Sequence, residues 1–119
     1  MNIEAFRVNC LSLKGAQEDL PFDEVTLVFK VMGKMFAILP LNDDPPRANL
    51  KADPEKSIEL RETHSQIIPG WHMNKKHWNT VFIEDGLEDN LIKELIKHSY
   101  DLVVAKLTKK QKLELQEFE

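Results

Sequence analysis

The feature that most limits what this chain can fold into is a run of period-two alternation broken once by glycine. Val25, Leu27, Phe29 and Val31 alternate with Thr26, Val28, Lys30 and Met32; Gly33-Lys34 follows, and Met35 to Leu39 resumes the apolar run. Alternation sends every second side chain to the same sheet face, and a glycine at the break supplies the backbone freedom a tight turn needs. The pattern predicts a β-hairpin over residues 24 to 39, with Gly33-Lys34 at its tip. An isolated hairpin is marginal in water, so the rest of the chain must cover it and extend it.

The flanking segments offer those partners. Ile3, Phe6, Cys10 and Leu13 fall at three- and four-residue spacing on one face of an opening helix, which Lys14-Gly15 ends. Asn42-Asp43-Asp44-Pro45-Pro46 reads as a loop, because adjacent prolines cannot donate to a ladder, and Arg47 to Lys51 fits a short third strand. Asp53-Pro54 is a helix start, an acidic N-cap followed by proline, and this helix runs to about Thr63 with Ile58 turned inward. Ile67 to Trp71 holds Pro69 and Gly70 and is extended or turning. Trp78 to Ile83, β-branched and aromatic, is a further strand closed by Asp85-Gly86. Leu91, Ile92, Leu95, Ile96, Ser99, Leu102, Val103 and Lys106 trace a long helical stripe behind Glu88 and Asp89, and Thr108-Lys109-Lys110-Gln111 has the form of a capping box that starts a last short helix. The order α-β-β-β-α-β-α-α lacks regular βαβ alternation. It predicts an α+β domain spanning residues 1–119, an antiparallel sheet with helices on one face.

Charge narrows the function. Sixteen Lys and Arg against twenty Asp and Glu give a net charge of −4, which argues against coating nucleic acid through bulk charge, where a domain pI above ~9 is usual. The opening Met1-Asn2-Ile3-Glu4 lacks the basic start of a signal peptide, and no apolar run approaches the ~20 residues of a spanning helix. Cys10 is the single cysteine, so neither an intrachain disulfide nor a cysteine-based zinc site can form, and a buried inert thiol is the expectation. These features predict a soluble cytoplasmic monomer that does not engage membranes.

Against the acidic total stands one local exception. From Thr63 to Ile83 there is no acidic residue, and the window carries Lys75, Lys76, His64, His72, His77, Trp71 and Trp78. Lysines neutralise phosphates, Asn and His reach phosphate or base edges, and indole faces stack on bases. The same residues also suit core tryptophans beside an ordinary solvated turn. Lys109 and Lys110 sit in the first turn of the last helix, with Lys106 and Lys112 near, where the helix dipole disfavours cations; they suit either an anion site or plain exposure.

The runs Phe29-Lys30-Val31-Met32-Gly33-Lys34-Met35-Phe36-Ala37, Asn49-Leu50-Lys51, Ile68 through Thr80 and His98-Ser99-Tyr100-Asp101-Leu102-Val103 resemble the MmcQ/YjbR family over nearly the whole chain. The resemblance implies a two-layer, frataxin (CyaY)-like fold and a DNA-binding protein with a double-wing motif. The family's polar signature falls here on Asn49, Lys51, His72, Asn74, Lys75, Lys76, Asn79 and Lys106. Gly70-Trp71 matches its aromatic turn, where Tyr is frequent in the family. One wing is then the Gly33 tip with Lys30 and Lys34, and the other the segment around Lys75. With Trp71 and Trp78 these residues make up the expected nucleic-acid-binding set.

The alternatives are a metal-binding or protein-interaction module on the same fold, and an enzyme. Frataxin likeness and the acids Glu18, Asp19, Asp23 and Glu24 suggest metal handling, but the cluster is small, and His72 and His77 are five apart across a turn, which is no recognised ligand spacing. His72, His77, Lys75 and Tyr100 offer acid–base groups, yet there is no Gly-rich phosphate loop, nucleophile elbow or HExxH. The expectation is a non-enzyme with no metal or cofactor. Of the remaining polar residues, His64 and His98 read as surface or capping groups, Tyr100 as a packed ring with a bonded hydroxyl, and Asp101 as a partner for a lysine of the basic region.

Overall fold

The computed structural model describes residues 1–118. The Asn2 side chain accepts the Ala5 N–H at 2.7 Å and caps α1 (Ile3–Leu11), which buries Phe6 and Cys10. Gly15, at φ +70°, turns the chain into β1 (Ala16–Asp19). The hairpin follows as β2 (Thr26–Val31) and β3 (Lys34–Pro40). Its two central residues are Met32 and Gly33, at φ 49° and 78°, so the turn sits one residue earlier than the sequence predicts and Lys34 opens β3. Two successive positive φ values match the right-handed twist of the strands they join, which is why register closes at Val31 opposite Lys34.

β4 (Arg47–Lys51) leads to α2 (Pro54–Thr63), then β5 (Ile67–Pro69), β6 (Trp78–Phe82), α3 (Asp89–Ala105) and α4 (Lys109–Gln116). One antiparallel sheet results, in the order β1-β2-β3-β4-β6-β5. The predicted α+β class, antiparallel sheet and one-sided helices are all present. Two edge strands are added to the prediction. β1 reads Ala-Gln-Glu-Asp and carries no strand-forming side chain; it is held by pairing with β2 and by Arg7 of α1, which grips Glu18 in a two-pronged ion pair at 2.7 and 2.6 Å.

Strand alternation sorts the two faces. Leu27, Phe29, Val31, Leu39, Ala48, Leu50 and Val81 meet Phe6, Cys10, Leu60, Ile92, Ile96, Tyr100 and Leu115 of the helices in one continuous core. On the opposite face Val28, Ile38 and Trp78 form a small separate cluster with Met35 and Met73, and helices leave this face open. Ile58, expected to point inward, is 57% exposed; the buried residues of α2 are Ser57 and Leu60. The phase of α2 is fixed by Asp53, whose carboxylate accepts the Glu55 and Lys56 N–H groups at 3.2 and 3.4 Å, and that start turns Ser57 toward the sheet. The Thr108–Gln111 capping box forms as predicted, at 3.1 and 3.0 Å. Among the described residues no helix is long and apolar enough to cross a membrane.

Candidate nucleic-acid interface

The acid-free window runs from the end of α2 through the edge strand β5 and a turn to the whole of β6, and three sets of bonds shape the turn. Gly70 donates its N–H to the Trp78 carbonyl at 2.8 Å; a Cβ at Gly70 would lie 2.8 Å from both the Trp78 Cβ and its carbonyl oxygen. Arg61 reaches across from α2 and donates to the carbonyls of Lys75 and Trp78 and, at 2.7 Å, to the Asn79 side chain. Thr80 accepts the Trp71 N–H at 2.9 Å and donates to Asn49 Oδ1 at 2.6 Å, while Asn49 Nδ2 donates to the Trp71 carbonyl at 3.4 Å. Neither Arg61 nor Thr80 stands out in the sequence, because their partners lie in other elements.

Two concavities flank this turn. The first is a cleft of about 400 Å³ where the end of β4 meets the C-terminal part of α3, lined by Lys51, Asp53, Asn74, His77, Trp78 and Lys106 among others. Lys51 is positioned by its N–H, which donates to Ser99 Oγ at 2.8 Å; that hydroxyl donates in turn to the Phe36 carbonyl at 2.5 Å, tying α3 to the sheet. The Lys51 ammonium lies 5.4 Å from the Trp78 ring centre. Its pKa is held below the ordinary lysine value, first by burial and then by the charge of Lys106. The Asp53 carboxylate also lines the cleft but is turned onto the first N–H groups of α2. Among the described residues no ion pair uses Lys51 or Lys106. Two lysines bordering one cavity without a paired acid among the described residues raise its local positive potential.

The second concavity, about 430 Å³, opens on the helix-free face of the sheet. Ile38, Pro40, Phe22 and Met73 supply most of its wall, and Arg47, Asp43, Asn49, Trp71 and His72 its polar rim. The Arg47 guanidinium lies 4.9 Å from the Trp71 ring centre and 5.3 Å from that of Phe82. Its Nε is 3.3 Å from Asp43 Oδ2 without hydrogen-bond geometry, and is buried with no hydrogen-bond partner. His72 stacks on Trp71, rings 11° from parallel, and holds φ 60°, a left-handed backbone that costs a non-glycine residue about 1 kcal/mol.

The expected binding set therefore divides. Lys51, Asn74, Trp78 and Lys106 meet in the cleft; Asn49, Trp71 and His72 line the sheet-face pocket. Lys75 and Lys76 line neither: Lys75 Nζ bends back to the Gly70 carbonyl at 3.5 Å, and Lys76 is exposed on the same turn as Asn74 and His77. Asn79 is no surface contact. It is 2% exposed, accepts from Arg61 and donates to Ser57 Oγ at 3.1 Å, because its side chain points to the helical face. The tryptophans also part company, Trp71 being 51% exposed and Trp78 6%.

The other residues singled out in the sequence find their roles in the fold. His98 Nε2 accepts the Asp53 N–H at 3.1 Å and His64 caps the end of α2, both as expected, and the Tyr100 hydroxyl donates to the Lys14 carbonyl at 2.6 Å. Asp101 pairs with Lys97 one helical turn away at 2.5 Å, not with the basic region. Of the acidic loop, Glu18 pairs with Arg7, Asp19 with Lys30, and Asp23 accepts from the Val25 and Thr26 N–H groups; among the described residues no three His, Cys, Asp or Glu gather as a metal site. Burial pushes the Cys10 thiol far up, so it is held as an unreactive core group.

A family model described as YjbR matches residues 11–102 of the chain. The Escherichia coli K12 protein named uncharacterized protein YjbR is 33% identical over 112 residues, 94% of this chain and 95% of that protein. Uncharacterized protein YbdF of Escherichia coli O157:H7 is 40% identical over 90 residues, 76% of this chain and 74% of that protein. Among solved structures, the crystal structure of a Deinococcus radiodurans protein with a DUF419 domain superposes with a TM-score of 0.89 at 42% identity, covering 97% of this chain and 88% of that one.

Proposed function

The chain belongs to the YjbR family, and with that membership as premise we propose that it is a non-catalytic DNA-binding module that holds backbone phosphate in the Lys51–Lys106 cleft. The observation that carries the reading is the convergence of two lysines from distant parts of the chain on one cavity, with no carboxylate paired to either among the described residues. A phosphate oxygen in the cleft relieves their mutual repulsion and has Asn74 and His77 beside it as further polar neighbours. Lys76, exposed on the adjoining turn, extends the cationic track. The carboxylates elsewhere repel the DNA backbone and confine binding to this side of the molecule.

Salt-titrated binding to short DNA is the direct test. Charge-driven association weakens linearly in log salt, and Lys51→Ala or Lys106→Ala should each lower the slope by about 1 while leaving the melting temperature nearly unchanged. An absence of binding at low salt removes the reading.

A further inference from the structure

The sheet-face pocket and the lysine cleft are neighbours on one strand. Arg47 and Asn49 of β4 line the pocket, and Lys51, one same-face step onward or roughly 7 Å along the strand, lines the cleft. They share a wall as well, since Ile38 of the pocket and Trp78 of the cleft belong to one apolar cluster, against which Met73 of the pocket packs. Their chemistry differs. The cleft presents two cations without a paired acid. The pocket is charge-balanced, with Arg47 beside Asp43, and its wall is mostly apolar and aromatic.

We infer that the sheet-face pocket receives an unpaired base of single-stranded DNA whose adjoining phosphate occupies the Lys51–Lys106 cleft. The inference rests on the DNA-binding reading of that cleft and assigns the form of DNA and the place of its base. Charge complementarity selects the occupant: Asp43 repels a phosphate, whereas a donor and an acceptor side by side match the mixed edge of a nucleobase. Arg47 Nε is buried without a hydrogen-bond partner, and an acceptor on the base edge relieves it. Trp71, half-exposed at the rim, has its backbone held by Asn49 and Thr80 and its ring stacked with His72 beside the Arg47 guanidinium, so an incoming base extends an existing stack, and Phe22 lines the same pocket. At about 430 Å³ the pocket has room for a base and its sugar. A duplex keeps its bases stacked inside and cannot offer one.

The test is fluorescence anisotropy at low salt with one labelled short strand, the same strand annealed to its complement, the same length of abasic backbone, the matching RNA strand and a free mononucleotide. The single strand should bind about tenfold more tightly than the duplex or the abasic backbone. Trp71→Ala should erase that advantage without weakening abasic binding, and Trp71→Phe should restore most of it. Thermal melts check that both variants are folded. Equal binding of strand, duplex and abasic backbone, weakened alike by Lys51→Ala, overturns the base pocket and leaves the phosphate cleft standing. Tighter binding of the RNA strand, or a mononucleotide that binds as well as the strand, overturns the assignment to single-stranded DNA. Failure of every probe to bind removes the cleft reading and the inference with it.

Discussion

Asn49 belongs to the residues that resemblance marks as a DNA contact, yet much of its bonding capacity goes to its own protein. Its oxygen accepts from Thr80 at 2.6 Å and its nitrogen donates to the Trp71 carbonyl at 3.4 Å, so it fixes the loop that carries the exposed indole. Asn49→Ala should cost about 1 kcal/mol in denaturant unfolding, by leaving the Thr80 hydroxyl without its acceptor, and should weaken single-strand binding more than duplex binding. Gly70 acts through space instead of bonds. Its Gly70→Ala variant drives a methyl against the Trp78 backbone, and a loss of about 1–3 kcal/mol in urea unfolding is expected. The chemistry of these residues was legible in the sequence, but the direction each faces was only partly so. Asn79 alternates with Val81, whose apolar side chain belongs in the core, so the parity of β6 already placed Asn79 inside. Arg61 left no such signal: it meets its partners 14 to 18 residues along the chain, where no local pattern reaches.

At the level of elements, strands with an alternating or β-branched run were visible, whereas β5, short and ended by Pro69 although it buries Ile67, and the polar β1 were not. The hairpin, β4 and β6 announce themselves by alternation or β-branched content, whereas β1 is charged at two of four positions and three of its residues are exposed. The start of α2 shows how an element can depend on a distant side chain. His98 accepts the Asp53 N–H only while Nε2 is unprotonated, and burial, then Lys56, hold its pKa below the ordinary 6.5 against the opposing pull of Asp53 and Asp101. In the unfolded chain the same imidazole takes a proton near 6.5, so just below that pH the unfolded state binds more protons than the folded one. Stability therefore rises with pH through this window and is lost as pH falls from 6.5 toward the depressed value. Urea midpoints measured on either side of pH 6.5 should show the drop, and His98→Gln should flatten it at some cost in stability at neutral pH.

On the scale of the whole molecule, the net charge of −4 is a sum over unlike surfaces. The acid-free stretch from Thr63 to Ile83 supplies Asn74, His77 and Trp78 to a cleft completed by Lys51 at the end of β4 and Lys106 at the end of α3, far apart in the chain. The sequence displayed the gap in acids but not this meeting, which depends on α3 crossing β3 and β4. Lys109 and Lys110, exposed at the start of α4, line neither concavity.

The unequal burial of the two tryptophans has an optical consequence. Trp71, open to solvent at the mouth of one concavity, should emit at long wavelength and be readily quenched by acrylamide; Trp78, sealed beneath Lys51 on the wall of the other, should emit further to the blue and resist quenching. Trp71→Phe should thus leave a weakly quenchable, blue-shifted spectrum and Trp78→Phe the reverse. Without any added label, the wild-type chain carries two internal lamps, one at each concavity, and the order in which they dim as DNA is added reports which is filled first.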